Sequence, residues 1–137
     1  FRYFIVYLGC GLLAALGQAF LNPSSQIPMV GASGAISGVI GGYLLLYPKA
    51  NIRVFYWVIV FFGTLMVPAY MVLGLWLIEQ FLLFPESMKS AGGVAVAAHL
   101  GGFAGGLLLT PLFKQKGVKL FQNGYSRAFS RHPKRIR

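Results

Sequence analysis

Two side chains that lie in long apolar stretches of the chain could carry out chemistry together. Ser33 and His99 are far apart in sequence, and each lies in a run that contains no Lys, Arg, Asp or Glu. An imidazole can take the proton of a serine hydroxyl while the serine oxygen attacks a carbonyl carbon. The pair therefore predicts nucleophilic catalysis, provided that the fold brings the two side chains to one place.

The composition indicates the environment of this pair. Of the 137 residues, 57% are hydrophobic and only 10% are charged, whereas about a quarter of the residues of a soluble domain are usually charged. Charge-free runs cover residues 3–48, 54–78 and 90–113. Each run is long enough for at least one membrane-spanning helix of roughly 20 residues. The chain is therefore predicted to be an integral membrane protein, in which ionisable groups are costly and are functional candidates.

The first charge-free run is too long for one span, and turn-forming residues with two prolines interrupt it at 22–28. The predicted fold is all-α, a polytopic transmembrane bundle. Its membrane domain covers residues 1–113, with a loop at 79–89 and a basic tail at 114–137. The four predicted spans are at about 3–20, 31–47, 54–78 and 91–113.

The basic residues predict the orientation of the bundle. If four helices alternate across the bilayer, Arg2, Lys49, Arg53 and the tail fall on one side, and only Lys89 falls on the other. The positive-inside rule then places the tail in the cytoplasm. The net charge of +10 is placed to attract anionic lipid of the inner leaflet rather than nucleic acid. We expect a bacterial plasma-membrane protein.

The two candidate residues are predicted to lie at one depth. Ser33 is fifteen residues before Pro48 and His99 is fifteen residues before Lys114, so both lie roughly 22 Å above the cytoplasmic face. This is about 8 Å below the outer edge of a hydrocarbon core of about 30 Å. A dyad at this depth would have no carboxylate within a span to orient the histidine.

Small residues predict that the second and fourth spans touch. Glycines spaced four apart let membrane helices approach closely, and both spans carry them, at Gly34, Gly38, Gly102 and Gly106. Ser33 also follows a loop, so it is expected near a helix N-terminus. Backbone N–H groups there, those of Ser33 and Gly31, are unpaired and could stabilise part of an oxyanion.

At these positions the sequence resembles the rhomboid family. The resemblance rests on Gly31-Ala32-Ser33-Gly34 and on the pattern A-H-x-x-G-x-x-x-G at residues 98–106. It implies a six- or seven-helix intramembrane serine protease that cleaves membrane-embedded substrates, usually single-span proteins. By this resemblance Ser33 is the nucleophile and His99 is the general base. Trp76 and the 79–89 loop would match the helix and cap that gate substrate entry.

The chain departs from the family pattern in two respects. The family's first two helices, with their H-x-x-x-N oxyanion residues, are missing. We therefore expect residues 1–137 to be inactive as a protease without an upstream region. Ser37 also occupies a position where an aromatic residue often stacks under the histidine. No cofactor and no metal is expected, because neither His99 nor His132 has a second ligand at metal-binding spacing.

Two other functions are compatible with the same residues. A transporter or channel subunit could use His99 as a proton relay, and it would tolerate Ser33→Ala and ignore serine-directed phosphonates. A non-catalytic, rhomboid-like protein could bind membrane segments without cutting them. The presence of both Ser33 and His99 speaks against the non-catalytic binder.

Overall fold

The computed structural model describes residues 1–24, 30–89 and 95–122, which form four helices and one β-hairpin. Three of the helices, all except the second, are long and apolar enough to cross a bilayer, and the second has 14 residues. The protein is therefore mostly helical, as expected for an integral membrane protein. In chain order the elements are α1 (Arg2–Leu21), α2 (Ser33–Leu46), β1 (Asn51–Val58), β2 (Phe61–Pro68), α3 (Ala69–Lys89) and α4 (Val96–Phe113).

Helices α1, α2 and α4 pack against one another and form the centre of the bundle, while α3 lies against it mainly through α4. The buried positions of α2 are all occupied by small residues. Small side chains allow the backbones to come close, and packing is what holds helices together in lipid. The buried residues of α2 are Gly34, Ala35, Ser37, Gly38, Gly41 and Gly42.

Three glycines of α2 and α4 lie directly against backbone atoms of the facing helix. A Cβ atom added to Gly38 would lie 2.8 Å from the carbonyl oxygen of Gly102. A Cβ atom on Gly102 would overlap the carbonyl oxygen of Gly34, and one on Gly106 would overlap that of Gly38. These three positions therefore have no room for a larger residue.

The structure corrects the third predicted span and the all-α class. Residues 54–78 do not form one helix, because strands β1 and β2 pair in antiparallel register from Asn51 with Pro68 to Val58 with Phe61. The segment is rich in β-branched and aromatic residues, which favour strands, whereas a hydropathy count registers only that they are apolar. Pro68 ends the second strand, and helix α3 begins at the next residue.

The predicted loop at 79–89 is also corrected, because these residues form the second half of α3. At 1.5 Å per residue the 21 residues of α3 extend about 31 Å, the thickness of a bilayer core. The fourth predicted span, 91–113, corresponds to α4 from Val96, and residues 90–94 lie outside the described residues. The helix that is long and apolar enough to cross a bilayer is therefore α3, at Ala69–Lys89, and not residues 54–78.

Both ends of the hairpin lie at the same end of the bundle. The Ala69 N–H group donates to the Ala50 carbonyl oxygen (2.7 Å), and the Tyr70 N–H group donates to that of Pro48 (2.9 Å). The hairpin thus leaves and returns at one level, between the end of α2 and the start of α3. The order of crossings that underlies the predicted orientation is consequently unchanged by the correction.

The first part of the basic tail packs against the end of α2. The Phe121 and Gln122 N–H groups donate to the carbonyl oxygens of Leu45 (2.9 Å) and Leu46 (2.8 Å). These acceptors belong to the last turn of α2, whose carbonyl groups have no partner within the helix. Residues 123–137, the remainder of the predicted tail, lie outside the described residues.

Candidate active site

Ser33 is the first residue of α2 and is exposed. The chain reaches it through Gly31, whose φ of +116° belongs to the left-handed region that favours glycine. Ala32 occupies the N-cap position, and no described side chain caps the helix. The first N–H groups of α2 therefore lack a side-chain acceptor at the place where Ser33 begins the helix.

His99 lies in the first turn of α4 and is half-buried. Its Nδ1 atom is 2.8 Å from Oε1 of Gln80, which belongs to α3. An amide oxygen can only accept a hydrogen bond, so Nδ1 carries the proton and donates it. In the neutral ring Nε2 then has a free lone pair, as a general base requires.

Trp76 contacts the same histidine from α3. Its ring centroid is 6.1 Å from that of His99 and 6.2 Å from that of Phe103 in α4. Trp76 is therefore in the first half of α3 and faces α4, whereas the predicted span of 54–78 would place it at the end of that span. Its role as a substrate gate stays a prediction.

Gln80 is the site residue that the sequence reasoning missed. It falls within the predicted loop at 79–89, and nothing in that prediction brings its amide to a histidine. In the structure it is 4% exposed, and it lies one helical turn after Trp76, so both side chains are on the same face of α3. The available signal is an amide four residues after a tryptophan, in a stretch whose other polar residue nearby is Glu79.

Helices α2 and α4 touch beside the two predicted catalytic residues. A Cβ atom on Gly34, the neighbour of Ser33, would lie 3.5 Å from the carbonyl oxygen of Ala98, the neighbour of His99. Within the described ranges, no hydrogen bond joins Ser33 to His99; the histidine is bonded to Gln80 through Nδ1. Catalytic hydrogen bonds often tighten only when substrate binds. The Ser33–His99 pair stays a prediction.

Ser37 is buried one turn after Ser33, and its hydroxyl donates to the Ser33 carbonyl oxygen at 2.8 Å. This hydroxyl is therefore occupied and is not a competing nucleophile. An aromatic ring nevertheless lies beside His99, that of Trp76 on α3. The departure at Ser37 thus leaves His99 with an aromatic neighbour.

The described part of the chain contains no group of three or more His, Cys, Asp or Glu residues that could hold a metal ion. His132 lies outside the described residues. The functional groups that the site does offer are a hydroxyl, an imidazole and the amide that bonds to it.

Comparison with known proteins identifies one family. A family model described as Rhomboid domain matches residues 1–116, which is most of the 137 residues. No curated protein and no solved structure gives a significant match. The match extends over all four helices and the hairpin.

Proposed function

Because this chain belongs to the rhomboid family, whose members are generally serine-type intramembrane proteases, we propose that it is a serine endopeptidase that cleaves membrane-embedded proteins. One observation carries the proposal: α2 and α4 touch through Gly34 and Ala98, the sequence neighbours of Ser33 and His99. A hydroxyl and an imidazole at such neighbouring positions can form a nucleophile and its base. The expected substrates are single-span proteins.

In the proposed reaction His99 Nε2 takes the proton of the Ser33 hydroxyl while the serine oxygen bonds to the carbonyl carbon of the scissile peptide. The resulting imidazolium returns this proton to the leaving amine as the peptide C–N bond breaks, and an acyl-enzyme forms. A water molecule then hydrolyses the ester with the same histidine as base, which regenerates Ser33.

Gln80 would act in this reaction as a positioning residue. Its Oε1 atom accepts the Nδ1 proton of His99, which keeps Nε2 unprotonated and limits rotation of the ring. The uncapped start of α2 would contribute the backbone N–H group of Ser33, with that of Gly31, to stabilise the oxyanion.

The test is labelling of the full-length protein in detergent with a fluorescent fluorophosphonate, beside a rhomboid of known activity. We expect the wild-type protein to be labelled and both Ser33→Ala and His99→Ala to lose labelling. Ser37→Ala is the matched control, because it removes a serine hydroxyl one turn away that is bonded to a backbone carbonyl, and it should be labelled like the wild type.

Two outcomes would reject the proposal that the protein is a protease. One is a silent wild-type protein under conditions in which the active relative is labelled, and the other is labelling that persists in Ser33→Ala. A proton-relay function would instead give pH-driven flux in proteoliposomes that His99→Ala abolishes and Ser33→Ala preserves. A non-catalytic binder would cross-link to a single-span substrate and remain unlabelled.

A further inference from the structure

The β-hairpin exposes an unusually large apolar surface. The exposed fraction is 72% for Trp57, 85% for Ile59 and 75% for Phe61. Soluble proteins rarely expose contiguous apolar patches larger than a few hundred Å². We therefore expect lipid or protein to shield this surface from water. The exposed large apolar residues of the hairpin are Phe55, Tyr56, Trp57, Val58, Ile59, Val60, Phe61, Phe62, Leu65 and Met66.

The two faces of the hairpin differ in polarity. Successive strand residues point to opposite faces, and the pairing register assigns each residue to one of them. We call one the apolar face, since its polar groups are limited to the Tyr56 phenol; it comprises Ile52, Val54, Tyr56, Val58, Phe61, Gly63, Leu65 and Val67. The other, the mixed face, comprises Asn51, Arg53, Phe55, Trp57, Phe62, Thr64, Met66 and Pro68.

The position of the hairpin in the fold places it at a membrane boundary. Its base is hydrogen-bonded to the backbone where α2 has ended and α3 begins, and α3 is long and apolar enough to cross the bilayer. Two exposed basic residues, Lys49 and Arg53, lie at this base. A basic and aromatic segment at the end of spanning helices is typical of contact with anionic lipid headgroups.

The open edges of the sheet determine how deep the hairpin can lie. Within the part of the chain that the structure describes, β1 and β2 pair only with each other. Each strand therefore has one edge of N–H and C=O groups without a strand partner, and such edges are not tolerated in contact with hydrocarbon. Water would satisfy these edges but would leave the aromatic side chains exposed. The headgroup region satisfies both requirements.

We propose that the hairpin lies flat in the headgroup region of an anionic leaflet, with its apolar face on the acyl chains. Lys49 and Arg53 then contact lipid phosphates, and Trp57 on the mixed face lies at headgroup depth. This lipid-binding surface is independent of the proposed protease activity. It would hold the segment between α2 and α3 in the plane of the membrane.

Tryptophan fluorescence can measure the depth of the hairpin, because the chain has only two tryptophans. Trp76→Phe leaves Trp57 as the only one. The full-length variant is reconstituted in phosphatidylglycerol–phosphatidylcholine vesicles that contain lipids spin-labelled at a shallow or a deep position. We expect at least twofold stronger quenching by the shallow label, and weak quenching by aqueous acrylamide. Trp57→Phe, which reports on Trp76 inside the bundle, is the comparison.

An upright hairpin would give a different result. Trp57 is six residues beyond Asn51, so it would lie about 20 Å from the base at 3.4 Å per residue. At that height the indole would be in water, quenched by acrylamide and not by either lipid label. This result would overturn the proposal.

Two neighbouring substitutions test which face meets the lipid. In the Trp76→Phe background, Leu65→Asp adds a charge to the apolar face, and Thr64→Asp adds the same charge to the mixed face. We expect Leu65→Asp to reduce shallow-label quenching at least twofold and Thr64→Asp to leave it unchanged. Equal effects would overturn the assignment of the faces. Far-ultraviolet circular dichroism verifies that each variant retains its helices.

The lipid charge is tested with the double variant Lys49→Gln/Arg53→Gln. Its shallow-label quenching in phosphatidylglycerol vesicles should fall to the value that the parent shows in pure phosphatidylcholine. No difference between the two lipids would overturn the contact with anionic headgroups. Stronger quenching by the deep label would place the hairpin in hydrocarbon, and shielding from both lipid labels and acrylamide would show that protein covers it. Either result rejects the proposal.

Discussion

His99 donates its Nδ1 proton to an amide rather than to a carboxylate. In a serine protease triad, a buried carboxylate holds the histidine and stabilises its charged form. An ionised carboxylate within a bilayer carries a high desolvation cost, which the neutral amide of Gln80 avoids while it still selects the tautomer. The amide oxygen of Gln80, 2.8 Å from Nδ1 of His99, therefore orients the imidazole ring without placing a charge beside it.

We expect Gln80→Leu to slow fluorophosphonate labelling about tenfold. The substitution removes a neutral hydrogen bond worth up to about 1.5 kcal/mol, and about 1.4 kcal/mol corresponds to a factor of ten in rate. The labelling rate and the melting temperature of the full-length variant in detergent are each measured beside those of the wild type.

Gln80→Glu keeps an acceptor at the same reach and should restore a large part of the labelling rate. Glu79→Gln is the matched control, since its side chain is adjacent in sequence and exposed, and it should label like the wild type. If Gln80→Leu lowers the melting temperature and Gln80→Glu restores stability without restoring the rate, Gln80 is structural and not a positioning residue.

At the scale of the elements, backbone contacts between glycines set the distance between α2 and α4. Hydrocarbon offers helices little hydrophobic gain on association, so tight van der Waals contact has to supply the stability. The small residues of α2 face both α1 and α4, with Cys10 of α1 against Gly38. The same contact brings the start of α2 to the first turn of α4.

Gly102→Ala should destabilise the bundle, because its new methyl group would overlap the carbonyl oxygen of Gly34. Overpacking of this kind costs about 1–3 kcal/mol, and we expect a fall of at least about 5 °C in the melting temperature. Thermal unfolding in detergent, followed by circular dichroism, measures it.

Gly74→Ala is the matched control for Gly102→Ala. Gly74 is also inside a helix, but a Cβ atom there meets nothing within 4 Å. The change should be neutral or stabilising by up to about 1 kcal/mol, because alanine favours helix. Equal melting temperatures for the two alanine variants would contradict the close packing of α2 on α4.

At the scale of the whole molecule, the hairpin changes where the third crossing is predicted and leaves the predicted sidedness of the basic residues unchanged. Its strands leave and return at one end of the bundle, so Lys49 and Arg53 remain opposite to Lys89, which ends α3. Thr64 becomes an exposed strand residue, whereas the predicted span of 54–78 would place it within the bilayer.

Cysteine accessibility in intact and permeabilised cells distinguishes these arrangements. A membrane-impermeant maleimide should label Lys89→Cys in intact cells, and should label Lys49→Cys and Thr64→Cys only after permeabilisation. The native Cys10 is fully buried, so the unmodified chain should remain unlabelled and is the control. An unreactive Thr64→Cys beside a reactive Lys49→Cys would support the helical span instead of the hairpin.

Much of this protein is apparent before any coordinates are considered. Charge-free runs identify an integral membrane protein, since the cost of burying charge in lipid is a property of each residue. The turn-forming residues at 22–28 separate the first two helices, and the motifs around Ser33 and His99 indicate the family that the comparison shows. Four-residue glycine spacing likewise suggests which helices approach closely.

Two features depended on the tertiary structure. Hydropathy is summed along the chain and cannot separate a strand from a helix when both are apolar. It therefore predicts residues 54–78 as one span and places Gln80 in a loop. The bond between Gln80 and His99 joins side chains nineteen residues apart, on helices whose rotation about their axes is set by packing. Local patterns contain no information about that rotation.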